Sequence, residues 1–220
     1  MVGRVVDEPS LRGRLRVFRD RVHAGSMLGE GLMKYSDGRT VVLAIPSGGV
    51  PVGRVVADKL TADFDLIVVR KVQVPWDPEA GFGAVAWDGG VQLNESLVSA
   101  LGLNPSQVET CVEKTREEVL RRMRRFRGDK PMPVLKGRVV ILVDDGLASG
   151  YTMLVAAGSV KKYAPAKVVV AAPTASQSAL DMVARYVDEV VCLNVRGGTF
   201  YAVADAYVEW HDLSDGEVMT

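Results

Sequence analysis

Five short runs of apolar, largely β-branched residues, 40–45, 64–69, 138–143, 167–171 and 189–195, recur along the chain, separated by segments of helical character such as 51–60, 152–163 and 175–186. Runs that are apolar throughout, rather than alternating with polar residues, suit strands covered on both faces. Strands that alternate with helices predict a parallel sheet, because a parallel connection needs a long crossover and that crossover lies across one face of the sheet. The pattern therefore predicts an α/β protein with a parallel sheet flanked by helices.

Two stretches depart from this rhythm. Residues 82–87 and 91–93 flank Trp87-Asp88-Gly89-Gly90, and an Asp-Gly pair between extended runs signals a hairpin, so a β-ribbon is expected to project from the sheet. A long helix is expected from Asn104-Pro105, where Asn caps and Pro suits the first turn, to a stop at Gly128. Val108, Val112, Val119, Met123 and Phe126 form its apolar stripe. Acids crowd its first half and Arg121, Arg122, Arg124, Arg125 and Arg127 its second, which matches the helix dipole, with Glu117 and Arg121, and Glu118 and Arg122, at i,i+4. The arginine cluster reads as a solvated helix end with no site role. Residues 72–81 and 128–137 read as loops.

A chain of 220 residues fits one domain of ordinary size, and 48% apolar with 25% charged residues is the balance of a protein that buries a sizeable core. Lys plus Arg and Asp plus Glu both total 27, so no overall basic field exists for sequence-independent nucleic-acid binding, and any phosphate binding must be local. The cysteines Cys111 and Cys192 lack C-x-x-C spacing, which favours neither a disulfide framework nor a zinc site and suits a reducing cytoplasm. No apolar signal run or membrane-length stretch is seen, so a cytoplasmic protein without a membrane partner is expected.

The segment 138–152 carries the chemistry. An apolar strand runs into two carboxylates, Asp144 and Asp145, and then into Gly146, Leu147, Ala148, Ser149, Gly150, Tyr151 and Thr152, a loop of mostly small residues that opens a helix. Glycines let backbone amides turn towards an anion, Ser149 and Thr152 add hydroxyl donors, and the following helix aims its positive end at the same point. A phosphate belongs there. The paired acids would repel it unless they face hydroxyls or a Mg²⁺ ion, and a ribose bearing a 5′-phosphate satisfies both halves. The loop is too short for a Walker A motif, and Tyr151 stands in place of its lysine. A plain strand-turn-helix corner also uses glycines, but paired acids, glycines and hydroxyls together favour binding.

A second loop, Ala44-Ile45-Pro46-Ser47-Gly48-Gly49-Val50-Pro51, again joins strand to helix through adjacent glycines; by itself it serves equally as a tight turn or an anion cradle. In open α/β sheets ligands sit beyond the carboxyl ends of the strands, so both loops can face one cleft. Arg70 and Lys71 end the run 64–69 on the expected cleft edge, where they are either solvated or a source of positive charge.

The strand, two acids and small-residue loop of 138–152 resemble the phosphoribosyl pyrophosphate signature of type I phosphoribosyltransferases, with Ser149 where Thr is usual. Phe18-Arg19-Asp20-Arg21, Pro78-Glu79, Gly83-Ala84-Val85 and Phe200-Tyr-Ala-Val203 extend the resemblance to a poorly characterised phosphoribosyltransferase-like group over about 18–210. The resemblance implies the type I phosphoribosyltransferase fold, with the ribbon as a flexible catalytic loop, a core at about 38–195, and a hood from about 1–37 and 196–220. It further implies transfer of the phosphoribosyl group of phosphoribosyl pyrophosphate to a nucleobase or other nitrogen acceptor, with Mg²⁺ as cofactor. Asp144 and Asp145 would hold the ribose hydroxyls, directly or through the metal's waters. Gly146 to Thr152 would hold the 5′-phosphate, and Ser47, Gly48 and Gly49 the diphosphate. Arg70 and Lys71 would neutralise the leaving group, and Phe200 or Tyr201 would stack on the base or pack in the core. An Arg or Lys often stands where Ser47 does, so a non-catalytic binder of the same fold is the alternative. Enzymes for 6-oxopurines carry an acid at Ala148, which argues against that substrate class and leaves adenine, orotate and uracil open. A homodimer is common in this fold. His23 and His211 are expected to be structural.

Overall fold

The computed structural model describes residues 3–198 and 200–219, with side chains for all of these except 78 and 79. The elements run β1 (Arg4–Asp7), α1 (Arg21–Gly31), β2 (Thr40–Ala44), α2 (Gly49–Leu60), β3 (Asp63–Leu66), β4 (Val69–Val74), β5 (Asp77–Ala86), β6 (Val91–Leu93) and α3 (Glu95–Ala100). They continue as α4 (Pro105–Arg127), β7 (Val139–Val143), α5 (Tyr151–Lys161), β8 (Lys167–Ser176), α6 (Gln177–Ala184), β9 (Glu189–Arg196) and α7 (Asp215–Val218).

Six strands form one sheet in the order β1-β9-β8-β7-β2-β3, parallel at every pairing. The uniform apolarity of these strands reflects burial on both faces. In β7, Val140 and Leu142 point into a core shared with Met153 and Leu154 of α5 and Leu180 of α6, while Ile141 and Val143 point into a second core with Leu28 of α1 and Val52 and Val56 of α2.

The order of connection places the functional end of the sheet. From β2 the chain crosses through α2 to β3 on one side, and from β7 it crosses through α5 to β8 on the other, so the winding reverses between β2 and β7. A reversal of this kind opens a crevice at the carboxyl ends of the two strands, because their connecting helices leave on opposite faces. The strands end in register, Ala44 opposite Val143, so the loops 45–48 and 144–150 emerge side by side.

The run 64–69 is two elements rather than one strand. β3 ends at Leu66, and after Ile67 and Val68, both fully buried, the chain turns into the separate antiparallel ribbon β4-β5-β6. Apolarity conceals the break, because Val68, Val72, Val74, Phe82 and Val85 are buried against Leu103, Val112 and Val119 of the α4 region instead of in the main sheet. Arg70 and Lys71 consequently lie within β4, opposite Val85 and Ala84, and not at the end of a central strand. The expected loop 72–81 is mostly the β4-β5 hairpin. The ribbon's other turn is fastened to α5 by an Asp88–Lys162 ion pair of 2.7 Å and by Trp87 stacked on Tyr163.

α4 has the anticipated ends, with an Asn104–Gln107 capping box and a Gly128 stop. Its arginines differ from expectation. Glu118 pairs with Arg70 of the ribbon at 2.7 Å rather than with Arg122, and Arg127 makes a buried, bidentate pair with Asp65 at 2.8 Å for each bond. These distant partners fix α4 against both sheets, which spacing within the helix cannot reveal. Strand β1, added to the sheet edge by pairing with β9, is also beyond the periodic reading.

The two end segments are stitched together beside the crevice. Phe18 donates its amide to Ala206 and accepts from Val208, and its buried ring packs on Tyr207.

Candidate active site

Among the described residues, five of the seven α-helices open with a side chain that accepts an N-terminal amide: Asp20, Asn94, Asn104, Ser176 and Ser214. The other two, α2 and α5, begin at Gly48 and Gly150 without a side-chain cap. They are the two that follow β2 and β7 directly at the crevice. At α2 the amides of Gly49 and Val50 are taken by the carbonyls of Ile45 and Ser47 and Pro51 has none, so its first turn offers the dipole alone, whereas α5 also leaves its amides open. Among the described residues, the amides of Ala148, Ser149, Gly150, Tyr151 and Thr152 have no hydrogen-bond partner.

The loop that displays them is anchored from below. Leu147 donates its amide to Thr174 and accepts from Ser176, its side chain lies in the main core, and Ser176 Oγ donates to the carbonyl of Ala148. Leu147 therefore turns inward with both backbone groups occupied, contrary to its expected place among ligand contacts. Ala148 and Ser149 are exposed, and Gly150 takes φ +81°, a left-handed conformation that favours glycine. Gly146 packs against Val203 and Thr174.

Asp144 and Asp145 lie at the floor between the loops. Asp144 Oδ1 accepts the amide of Asp145 at 2.9 Å, and Asp145 Oδ2 accepts from Arg21 Nε at 2.8 Å. Arg21 is itself buried, under the ring of Trp210 at 3.9 Å, and donates to the carbonyl of His211. Burial, reinforced by the neighbouring Asp145 carboxylate, holds the Asp144 carboxyl well above the ordinary carboxylate range. Burial also raises Asp145, against the opposing pull of Arg21. The pair is short of positive charge and of donors.

The second loop closes directly on this pair. Gly48 faces the Asp145 carboxylate, and Gly49 packs against the Val143 carbonyl and the Asp144 backbone. Ser47 is half-buried and its hydroxyl accepts from Arg122 Nη2 at 3.0 Å. Arg122, read from sequence as a solvated residue without a site role, thus reaches the loop that lacks its own cation.

Arg70 and Lys71 are successive residues of β4 and line different cavities, as the pleat requires. Lys71 lines a cavity of about 400 Å³ with Ala148, Ser149, Tyr151 and Thr152, whereas Arg70 lines one of about 600 Å³ with Ser47 and Arg122. The side chains of Pro78 and Glu79 lie outside the described residues. Phe200 is 93% exposed, whereas Tyr201 lies under Arg196 and donates its hydroxyl to Thr174 Oγ1 at 3.2 Å. Burial raises the Tyr201 phenol, which keeps it a hydroxyl donor.

Arg21, Tyr207 and Arg122 escaped the sequence reading. Tyr207 donates to the Asp145 carbonyl at 2.6 Å from a residue far along the chain. The only local signal was the Phe18-Arg19-Asp20-Arg21 stretch, and nothing in it names Asp145 as a partner. His23 accepts the amide of Arg19, and the exposed His211 contacts Glu217.

An open parallel sheet whose reversal point holds an acid pair between two strand-to-helix loops defines a class of α/β proteins whose ligands sit beyond the carboxyl ends of the strands. Residues 23–209 match the phosphoribosyl transferase domain, and the chain belongs to the phosphoribosyl transferase family. It is 38% identical over 205 residues, 93% of its length, to "Putative phosphoribosyl transferase Rv0571c" of Mycobacterium tuberculosis, and spans 46% of that protein. The chain thus covers less than half of the curated relatives it matches. The crystal structure of TT1426 from Thermus thermophilus is similar at 37% identity, with a TM-score of 0.76 over 93% of this chain and 96% of that one. The AQ2163 protein of Aquifex aeolicus shares the fold at 13% identity, with a TM-score of 0.52 over 85% of this chain and 78% of that one.

Proposed function

We propose that the protein binds phosphoribosyl pyrophosphate in this crevice and transfers its phosphoribosyl group to a nitrogen base, releasing pyrophosphate. The observation that carries the reading is the convergence of the two uncapped helices on one acid pair, with Gly48 against Asp145. In this reading the amides and hydroxyls of Ala148 to Thr152 hold the 5′-phosphate, Asp144 and Asp145 accept the ribose hydroxyls, and Ser47, Gly48 and Gly49 hold the diphosphate. Each hydrogen bond to a charged phosphate contributes about 1.5–3 kcal/mol, so a handful of them offsets much of the roughly 4–15 kcal/mol cost of association.

The reaction breaks the bond from C1 of the ribose to the diphosphate oxygen and forms one from C1 to the base nitrogen; both bonding electrons leave with the diphosphate, and the base nitrogen's proton passes to solvent. Two fixed phosphate ends hold C1 open to the base. Arg70, which lines the cavity beside Ser47, stabilises charge that grows on the leaving group, whereas Lys71 lines the cavity of the 5′-phosphate loop. We assign Phe200 and Tyr201 to the base side, which the hydroxyl bond from Tyr201 to Thr174 near the carboxyl end of β8 supports.

Among the described residues no cluster of three or more His, Cys, Asp or Glu is placed to hold a metal. Two under-neutralised carboxylates suit Mg²⁺ that completes its oxygen shell with ligand and water, and Asp144 and Asp145 would hold it. When bound, Mg²⁺ would neutralise charge on the diphosphate. We also read the protein as cytoplasmic: Cys111 and Cys192 are both free thiols, and no helix among the described residues is long and apolar enough to cross a membrane.

A pyrophosphate-release assay with Mg²⁺, phosphoribosyl pyrophosphate and a panel of bases tests the reading; Ala148 predicts no preference for hypoxanthine or guanine. Ser47 supports one alternative, a binder of the same ligand that regulates another molecule. Tight binding with no release for any base would select that alternative and reject the enzyme.

A further inference from the structure

The diphosphate loop of the proposed function carries no cation, yet the cavity beside it is strongly basic. Arg70 enters from the ribbon, and Arg121, Arg122 and Arg125 enter from successive turns of α4. Two carboxylates share the space, Glu118 on Arg70 at 2.7 Å and Asp215 on Arg122. Arg121 lies 4.0 Å from Glu117 on the exposed face of its own helix. Positive charge therefore exceeds negative beside Ser47.

Asp215 occupies the centre of this arrangement. It takes two bonds from Arg122, at 2.5 and 3.3 Å, lies 3.7 Å from Arg125, and accepts from Ser47 Oγ at 3.4 Å. A carboxylate held by a bidentate guanidinium and a loop hydroxyl satisfies the donors that a phosphoryl group would satisfy. Arg122 is held in place by this contact and by the ring of Phe126, its side chain only 11% exposed. The carboxylate arrives on a segment docked across the crevice. Val218 is buried in a cluster with Ala44, Val50 and Leu66, and Trp210 covers Arg21, the partner of Asp145.

Resting on the proposed function, we propose that Arg122, with Arg125, is the cation of the diphosphate site, and that Asp215 is a resident anion which the diphosphate must displace. The cation that the loop lacks is supplied from α4, and it is occupied by a carboxylate until ligand arrives. Occupancy by diphosphate then frees the segment around Asp215 from Ser47 and Arg122.

Calorimetric titration of the full chain with inorganic pyrophosphate, with phosphoribosyl pyrophosphate and with ribose 5-phosphate, each with Mg²⁺, tests this. Asp215→Asn removes the competing charge at a partly exposed position and is expected to tighten pyrophosphate about tenfold, leaving ribose 5-phosphate within about twofold. Arg122→Gln is expected to weaken pyrophosphate and phosphoribosyl pyrophosphate by about tenfold or more, again sparing ribose 5-phosphate. Unchanged or weaker pyrophosphate binding by Asp215→Asn overturns the proposal, even if Arg122→Gln fails to fold. Wild-type protein that binds ribose 5-phosphate while both variants leave pyrophosphate unaltered rejects both parts of this proposal and leaves the functional reading standing. Wild-type protein that binds none of the three rejects the functional reading as well.

Discussion

Gly48 lies so close to Asp145 that a Cβ on it would stand 1.9 Å from Oδ2 of the carboxylate. The carboxylate cannot simply swing away, because Arg21 holds the same oxygen at 2.8 Å. Gly48→Ala must therefore part the two loops or break the Arg21 pair. We expect a folded protein whose affinity for phosphoribosyl pyrophosphate falls by about tenfold or more, since the phosphate cradles lose their mutual spacing. Titration with unchanged affinity would refute that coupling.

Arg21 and Asp145 form an ion pair with side chains only 8% and 13% exposed. Removing one partner leaves a buried charge, beside Asp144 as well, so Arg21→Met should cost about 3–5 kcal/mol of stability in urea denaturation. Adding Asp145→Asn should restore most of the loss. A cost under about 1 kcal/mol would show that water already reaches the pair.

Asp144 has a carboxyl raised above its unfolded value by burial and by Asp145. A group raised in the folded state adds stability below its unfolded pKa and loses it as pH climbs through the raised value. The melting temperature should accordingly decline as pH rises above the ordinary carboxylate range, and Asp144→Asn should flatten the decline while reducing turnover by about a hundredfold. A variant with the wild-type pH slope would remove Asp144 as its source.

The same displacement predicts proton release on binding. Ribose hydroxyls and Mg²⁺ favour the ionised acid pair, so ligand binding should expel protons while Asp144 is still partly protonated, and affinity should rise with pH across that window. Calorimetry in buffers of different ionisation enthalpy reads the proton count directly. Proton uptake would contradict the placement of the ribose on this pair.

Ser149 is exposed at the lip of the loop and has no partner among the described residues. Ser149→Ala should leave stability within about 0.5 kcal/mol and weaken ribose 5-phosphate by about tenfold through one lost charge-assisted hydrogen bond. Equal affinity would take Ser149 out of the phosphate site.

What could be read in advance follows from how local each signal is. The acid pair and its loop are contiguous at 144–152, so chain order alone places strand, carboxylates and helix N-terminus together. The capped ends of α4 are equally local, Asn104 and Gly128 acting within one turn. The cations are not local. Arg21 meets Asp145 and Arg122 meets Ser47 only because the sheet order and the docking of α4 bring them there. The run 64–69 misled because burial against α4 and burial in a sheet demand the same apolar residues. Leu147 sits in a loop with small, binding-type neighbours, yet its amide was taken by β8, a pairing that depends on a strand longer than its apolar run.

The matched ends of β2 and β7 have one more consequence. Neighbouring strands lie about 4.8 Å apart, and here Ala44 stands level with Val143, so the spacing of the two cradles is set by the rigid sheet rather than by the loops. On the proposed reading the sheet acts as a gauge: a compound whose two phosphoryl groups are set at another separation seats one and strands the other, whatever base it carries.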